Sequence, residues 1–246
     1  MSALTSYLLT FLIATLNLVD LLFLDDNWTG KIGFQIAFLP FALCFLQFIC
    51  ERLFWSNKEF MWVTRRFYIL SLALRTVMLF CICGLYAYNK VSLNGVWDDL
   101  LYHELARSHG NAVIESGNFY FGLLSFAYGL FGDTTLVGRM INIALSSLCI
   151  YPVALIFCHL NIKKAYIKMA LLIFSIIPSM AAWSIFEIKD IIIQFALLAS
   201  IGIYITQVNN KSISICAVFA LLLMGYVLEK SRSGAGLILL ISLISL

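Results

Sequence analysis

The chain has 246 residues, of which 62% are hydrophobic and 12% charged. A soluble domain carries about twice that charged share, so a water-soluble globule is excluded, and repeated apolar runs of about 18 residues or more point to an all-α polytopic membrane protein. The net charge of +3 gives no reason to expect nucleic acid as a partner.

The first apolar run, residues 3–24, has no basic segment ahead of it and no small-residue cleavage site, so a retained helix is expected there. A second span is expected over 32–50, followed by a basic loop with Arg52, Lys58, Arg65 and Arg66, and a third over 67–88 with Arg75 inside it. An arginine at that depth must pair or reach the interface, and an ion pair with an acid is the expected arrangement. The longest non-spanning segment, about 89–117, holds the polar island Trp97-Asp98-Asp99-Leu100-Leu101-Tyr102-His103-Glu104-Leu105-Ala106-Arg107.

Residues 118–131 are apolar and aromatic but too few to cross a bilayer, which suits a re-entrant or interfacial helix loosened by Gly122, Gly129 and Gly132. Further spans are expected over 136–160, 169–186, 191–208 and 213–228, with Lys163, Lys164 and Lys168 after the first of them. The polar corners Glu187-Ile188-Lys189-Asp190 and Glu229-Lys230-Ser231-Arg232-Ser233 interrupt the rest, and the run 235–246 is a partial eighth span in a chain expected to be truncated. Cys44, Cys50, Cys81, Cys83, Cys149, Cys158 and Cys216 lie in or beside apolar segments and read as small packing residues.

Placing the 52–66 loop in the cytoplasm puts the later lysine-bearing loops there too, provided 118–131 does not cross. Ten of the thirteen acids then fall on the extracytoplasmic side, together with the island and both later corners.

On a helix, Asp98 shares a face with Tyr102, and Asp99 with His103. A carboxylate shielded at the membrane surface can take a proton from a hydroxyl or, with water, bind a divalent cation; the structural alternative is that Asp98 caps the loop helix. His103, Glu104 and His109 with Asp99 match no tight metal motif. Glu187, Lys189 and Asp190 are interfacial anchors or a second functional corner, and Lys230 and Arg232 are a solvated turn or a phosphate contact, with Arg139 a further phosphate candidate.

The stretch Asp98 to Ala106 resembles the first-loop signature of the GT-C membrane glycosyltransferases, a superfamily that includes protein O-mannosyltransferases and aminoarabinose transferases. That signature is an Asp, usually followed by Glu or Asp, with Tyr four positions after the first acid, just beyond a transmembrane helix. The run Leu130 to Asn142 is similar to the family's Phe-Gly turn, which precedes a span opening with Arg; Lys189-Asp190 resembles its second acidic corner, and Arg232 sits where a lipid-phosphate contact is found. The resemblance covers residues 67–246 as a GT-C-like core, incomplete at its C-terminus, with residues 1–66 as an added transmembrane hairpin and basic cytoplasmic loop.

The resemblance implies a fold of about seven spans plus a partial eighth, with an extracytoplasmic first-loop helix. It implies a transferase that moves a sugar from a polyprenyl-phosphate donor to a glycan, lipid or protein acceptor on the outer face of the membrane, as in a bacterial inner membrane facing the periplasm. Asp98, Asp99 and Asp190 would be the catalytic acids, and Tyr102, Arg139, Glu187, Lys189, Lys230 and Arg232 the substrate and phosphate contacts. No cofactor is required, although a divalent cation (Mg or Mn) held by Asp98 and Asp190 would be compatible with the chemistry. The competing readings are an O-antigen type polymerase or ligase and, third, a transporter or non-catalytic membrane subunit.

Overall fold

The computed structural model describes residues 1–24, 38–54, 58–88, 97–107, 118–132, 134–160, 162–177, 181–182, 184–186, 189–210 and 214–244. All regular structure among them is helical: α1 (Ala3–Leu24), α2 (Leu39–Leu53), α3 (Lys58–Tyr88), α4 (Trp97–Arg107), α5 (Phe119–Phe131), α6 (Thr135–Leu148), α7 (Ile150–His159), α8 (Lys164–Ile176), α9 (Asp190–Asn210), α10 (Ile215–Ser231) and α11 (Ala235–Ile244).

Local chemistry sets several of these limits. Pro40 lies in the first turn of α2, where a missing N–H costs nothing. The side chain of Asn118 caps α5 by accepting from the Tyr120 amide, and Gly132 ends that helix at φ 102°, a conformation that favours glycine. Between these two ends α5 is a continuous helix through Gly122 and Gly129. Helices α6 and α7 run into one another across Cys149, making one rod, Thr135–His159. The joint falls where Pro152, third residue of α7, has no N–H to return to Leu148.

The span expected over 169–186 is broken. Helix α8 ends at Ile176, and Ile177 turns out of the helix at ψ 116°. Ile177 precedes Pro178, and the proline ring disfavours helical backbone in the residue before it.

Helix α6 with α7 is the central rod. Every residue from Val137 to Leu155 is buried, as expected of a helix apolar all round, and the rod packs against α2, α3, α5, α8 and α9. Contacts set the helix directions. Thr10 and Asn17 of α1 reach Gln47 of α2 and Thr76 of α3, while Ser71 and Arg75 of α3 meet Ser147 and Ser146 of α6. One end of the bundle therefore holds Phe60, Val63 and Ile167 around Val153 and Ala154. The opposite end holds α4, α5 and the start of α9.

Among the described residues, two helices are able by length and composition to cross a bilayer, Thr135–His159 and Asp190–Val208; Ala3–Asn17 and α5 are apolar but shorter. Seven complete spans are more than that measure supports. The outer surface is nonetheless apolar in continuous ridges. Leu4, Leu8, Leu12 and Leu16 line α1; Phe38, Phe41, Phe45 and Phe48 line α2; and Ile215, Phe219, Leu222 and Tyr226 line α10, all exposed. Patches of that extent belong against lipid or another chain rather than water.

Candidate functional site

The polar island forms α4, and its sides are sorted by burial. Tyr102, His103 and Ala106 are buried, while Leu101, Glu104 and Arg107 are exposed. Tyr102 packs its ring edge-on to Tyr120 at 5.7 Å between centroids and tilted on Phe121 at 5.1 Å. His103 Nδ1 and the Tyr128 hydroxyl share a 2.8 Å hydrogen bond. Helix α4 is thereby seated on α5 by the two Tyr102 ring contacts, the edge-on contact of His103 with Tyr128 and the hydrogen bond between them. Asp98 and Asp99 belong to the first turn of α4; their side chains, and all of Glu187 and His109, lie outside the described part of the structure.

A second set of contacts ties α5 to the corner before α9. The Tyr120 hydroxyl donates to Asn142 Oδ1 at 3.2 Å, and Asn142 Nδ2 donates to the Phe186 carbonyl at 2.5 Å. Tyr120 and Asn142 are both fully buried. A carbonyl outside any helix needs such a donor when water is excluded. The Lys189 carbonyl then accepts the amides of Ile192 and Ile193, so Lys189 opens the α9 backbone ladder. Lys189 is half-buried and Asp190 is exposed.

The third corner is a tight turn between α10 and α11. Glu229 accepts the amides of Gly234, Gly236 and Leu237 at 2.9, 3.1 and 3.3 Å, and the chain reverses through Gly234 at φ 83°. The Gly234 amide, with those of Leu237 and Gly236, holds the Glu229 carboxyl below its ordinary range. Glu229 thus caps α11, while Lys230 and Arg232 are exposed beside it. Arg139 differs from both: it lies in α6 and is 2% exposed.

These three corners meet through one apolar cluster. Tyr102 of α4, Ile191 and Ile192 of α9, and Val227 and Leu228 of α10 all belong to it, packed with Tyr120, Tyr128, Val137 and Ile141. Segments up to 126 residues apart in the chain, from Tyr102 to Leu228, are gathered at one end of the bundle. Among the described residues no group of three or more His, Cys, Asp or Glu is close enough together to hold a metal ion.

Arg75 departs from expectation. It is fully buried, and no acid among the described residues pairs with it. Its Nε donates to Ser146 Oγ at 3.0 Å, and its Nη1 donates to the Ser71 and Ser175 carbonyls at 3.3 and 3.2 Å and to the Ser71 hydroxyl. Three helices are tied by neutral acceptors where an ion pair is expected.

Among the described residues the ion pair lies at the other end. Glu51, 3% exposed, takes a two-point contact from Arg65 together with hydrogen bonds from Tyr7, Tyr151 and Gln47 at 2.8, 2.9 and 3.0 Å. Gln47 also bonds Ser6 and Thr10 at 2.7 Å each. The sequence signal for this network is the pair Gln47 and Glu51, one turn apart on an otherwise apolar helix.

No family model, curated protein or solved structure matches the chain. What the described residues define is an all-helical bundle with an apolar outer surface, two helices able by length and composition to cross a bilayer, and one end at which three charged corners share a core.

Proposed function

We propose that this protein is an integral membrane glycosyltransferase of the GT-C kind, taking a sugar from a polyprenyl-phosphate donor to a hydroxyl acceptor at the end of the bundle that carries α4. The observation that carries the reading is the apolar cluster joining Tyr102, Ile191 and Leu228. It links the helix bearing Asp98, through α5, to the same core as the head of α9 and the foot of α10. That is the neighbourhood a sugar-phosphate needs: a carboxylate base and cationic groups on a surface continuous with lipid.

In this reading Asp98 takes the proton of the acceptor hydroxyl as its oxygen attacks the anomeric carbon. The bond from that carbon to the phosphate oxygen breaks, and polyprenyl phosphate leaves. Lys189, Lys230 and Arg232 neutralise the charge that develops on the phosphate, since fixed cations in a water-poor site lower such a barrier most. Buried Arg139 adds positive charge from beneath, and Asp99, Asp190, Glu187 and Tyr102 orient the sugar and acceptor. The polyprenyl tail lies along the aromatic surface of α5. A divalent cation, if used, would sit between Asp98 and Asp190; no step above depends on it. The face carrying these groups is extracytoplasmic, and the protein belongs to cell-envelope glycan synthesis.

The test is transfer from a labelled polyprenyl-phosphate sugar in membrane vesicles holding the full chain. Asp98→Asn should lower transfer by about a hundredfold or more, the scale of losing a general base, and Arg232→Ala should raise the KM for the lipid donor. Unchanged transfer in Asp98→Asn, Asp190→Asn and Arg232→Ala would sink the proposal.

A further inference from the structure

The end of the bundle away from α4 carries a feature that the transfer chemistry does not use. Its exposed charged side chains, among the described residues, are all cationic: Arg52 on α2, Arg66 on α3, and Lys163, Lys164 and Lys168 at the start of α8. Glu51 at this end is buried and already occupied by Arg65, Tyr7, Tyr151 and Gln47, and the side chain of Glu59 lies outside the described part of the structure. Arg65 is neutralised in the same contact, which leaves Arg52 and Arg66 as the arginines facing outward.

Both arginines lie on aromatic rings. The Arg66 guanidinium sits 3.3 Å from the centre of the Trp62 ring, and that of Arg52 lies 5.2 Å from the Phe48 ring. Such stacking holds one face of the guanidinium and leaves its N–H edge free to meet a phosphate in a two-point contact. Below Arg52, and in register with it at steps of three and four, runs the exposed ridge Phe48, Phe45, Phe41 and Phe38. Trp62 is exposed as well, one turn nearer the end of the bundle than Arg66 because α3 runs inward from Lys58. Arg52 therefore stands at the top of an apolar strip, which is the layout of a phospholipid, phosphate above and acyl chain beneath, and Arg66 is a second cation held on an exposed ring at the same end.

We propose that this end is a binding surface for anionic phospholipid, with Arg52 and Arg66 as its phosphate contacts and the α2 phenylalanine ridge as its acyl seat. The inference rests on the membrane part of the functional reading and not on sugar transfer. Selectivity against zwitterionic lipid follows from the charge inventory. A choline or ethanolamine headgroup brings an ammonium, which the surrounding cations repel. A phosphatidylglycerol headgroup brings only the phosphate charge, and each basic residue near such a surface strengthens binding about fivefold.

The experiment is native mass spectrometry of the full chain released from nanodiscs of equal phosphatidylglycerol and phosphatidylcholine. The wild-type chain should retain phosphatidylglycerol over phosphatidylcholine by about fivefold or more. Arg52→Gln with Arg66→Gln should lower the preference by about fivefold or more, while Arg107→Gln at the other end should keep it. Both arginines are exposed, so the double variant should fold, and the headgroup comparison on wild type stands without it. Equal retention of the two lipids overturns the proposal, as does an unchanged preference in the double variant. Loss of bound lipid on adding inorganic phosphate would assign the site to free phosphate and overturn it as well. A chain that fails to enter nanodiscs would instead overturn the membrane reading, and loss of sugar transfer alone would leave this surface standing.

Discussion

Glu51 and Arg65 meet in a two-point ion pair, Nε to Oε1 at 2.9 Å and Nη2 to Oε2 at 2.8 Å. The pair joins the end of α2 to the start of α3, and Tyr7 and Tyr151 extend it to α1 and α7. Three hydrogen bonds besides those of Arg65 fill the carboxylate's remaining acceptor positions, the condition under which a buried pair holds rather than weakens a fold.

Removing one partner should be costly. Glu51→Ala strands the Arg65 guanidinium, and the loss should be about 3 kcal/mol, read as a lowered unfolding midpoint in detergent. Replacing both residues with apolar ones should cost less than the sum of the single changes. Additive losses would show that the contact is not a coupled pair.

The same carboxylate sets a pH dependence. Burial pushes the Glu51 carboxyl up, but hydrogen bonds from Arg65, Tyr7 and Gln47 outweigh it and hold the group below its ordinary value of 4.5. The folded state thus binds this proton less readily than the unfolded chain. The stabilisation is full above about pH 4.5 and is lost as pH falls through the depressed folded value. Stability measured down that range should fall more steeply for wild type than for Glu51→Gln; parallel curves would show that Glu51 contributes nothing to the acid transition.

Two glycines should respond oppositely to alanine. At Gly236 a Cβ would run into the Gly225 carbonyl oxygen and lie 2.8 Å from the Glu229 Cβ, so α10 and α11 would have to separate. Gly236→Ala should destabilise by about 1–3 kcal/mol, the range for overpacking. At Gly129, in the last turn of α5, nothing lies within 4 Å of an added Cβ, and Gly129→Ala should be neutral or gain up to about 1 kcal/mol from helix propensity. Thermal unfolding of both variants decides the point.

Asn142 should control the corner before α9. Asn142→Leu leaves the Phe186 carbonyl and the Tyr120 hydroxyl without the contacts that Asn142 makes to each, at a cost of about 1–3 kcal/mol. Hydrogen exchange should rise selectively at residues 184–190 and at the start of α9. Protection equal to wild type there would remove Asn142 from the set of positioning residues.

Much of the fold is legible along the chain because helix formation is local. The expected span over 136–160 is the rod Thr135–His159, the expected span over 191–208 lies inside α9, and the short aromatic segment is α5. The break after Ile176 had its signal in Pro178, but the apolar run on both sides hides it from any reading by hydropathy. Arg75 was harder. Its acceptors Ser71, Ser146 and Ser175 come from three helices, and a serine in an apolar run carries no mark of the partner it will meet.

By itself the sequence determined that the protein is helical, that it is rich in long apolar runs, two of which form helices able to cross a bilayer among the described residues, and where several of its helices begin and end. Those properties follow from hydropathy, capping and proline chemistry, each acting within a few residues. Only the tertiary structure decided that Tyr102, Ile191 and Leu228 share one core, that Glu51 rather than Arg75 carries the paired charge, and that Arg139 is buried while Arg232 is exposed. Such pairings depend on which helix faces meet. Many apolar faces are nearly equivalent to one another, so the choice among them rests on the packing of the whole bundle and on satisfying its few buried polar groups.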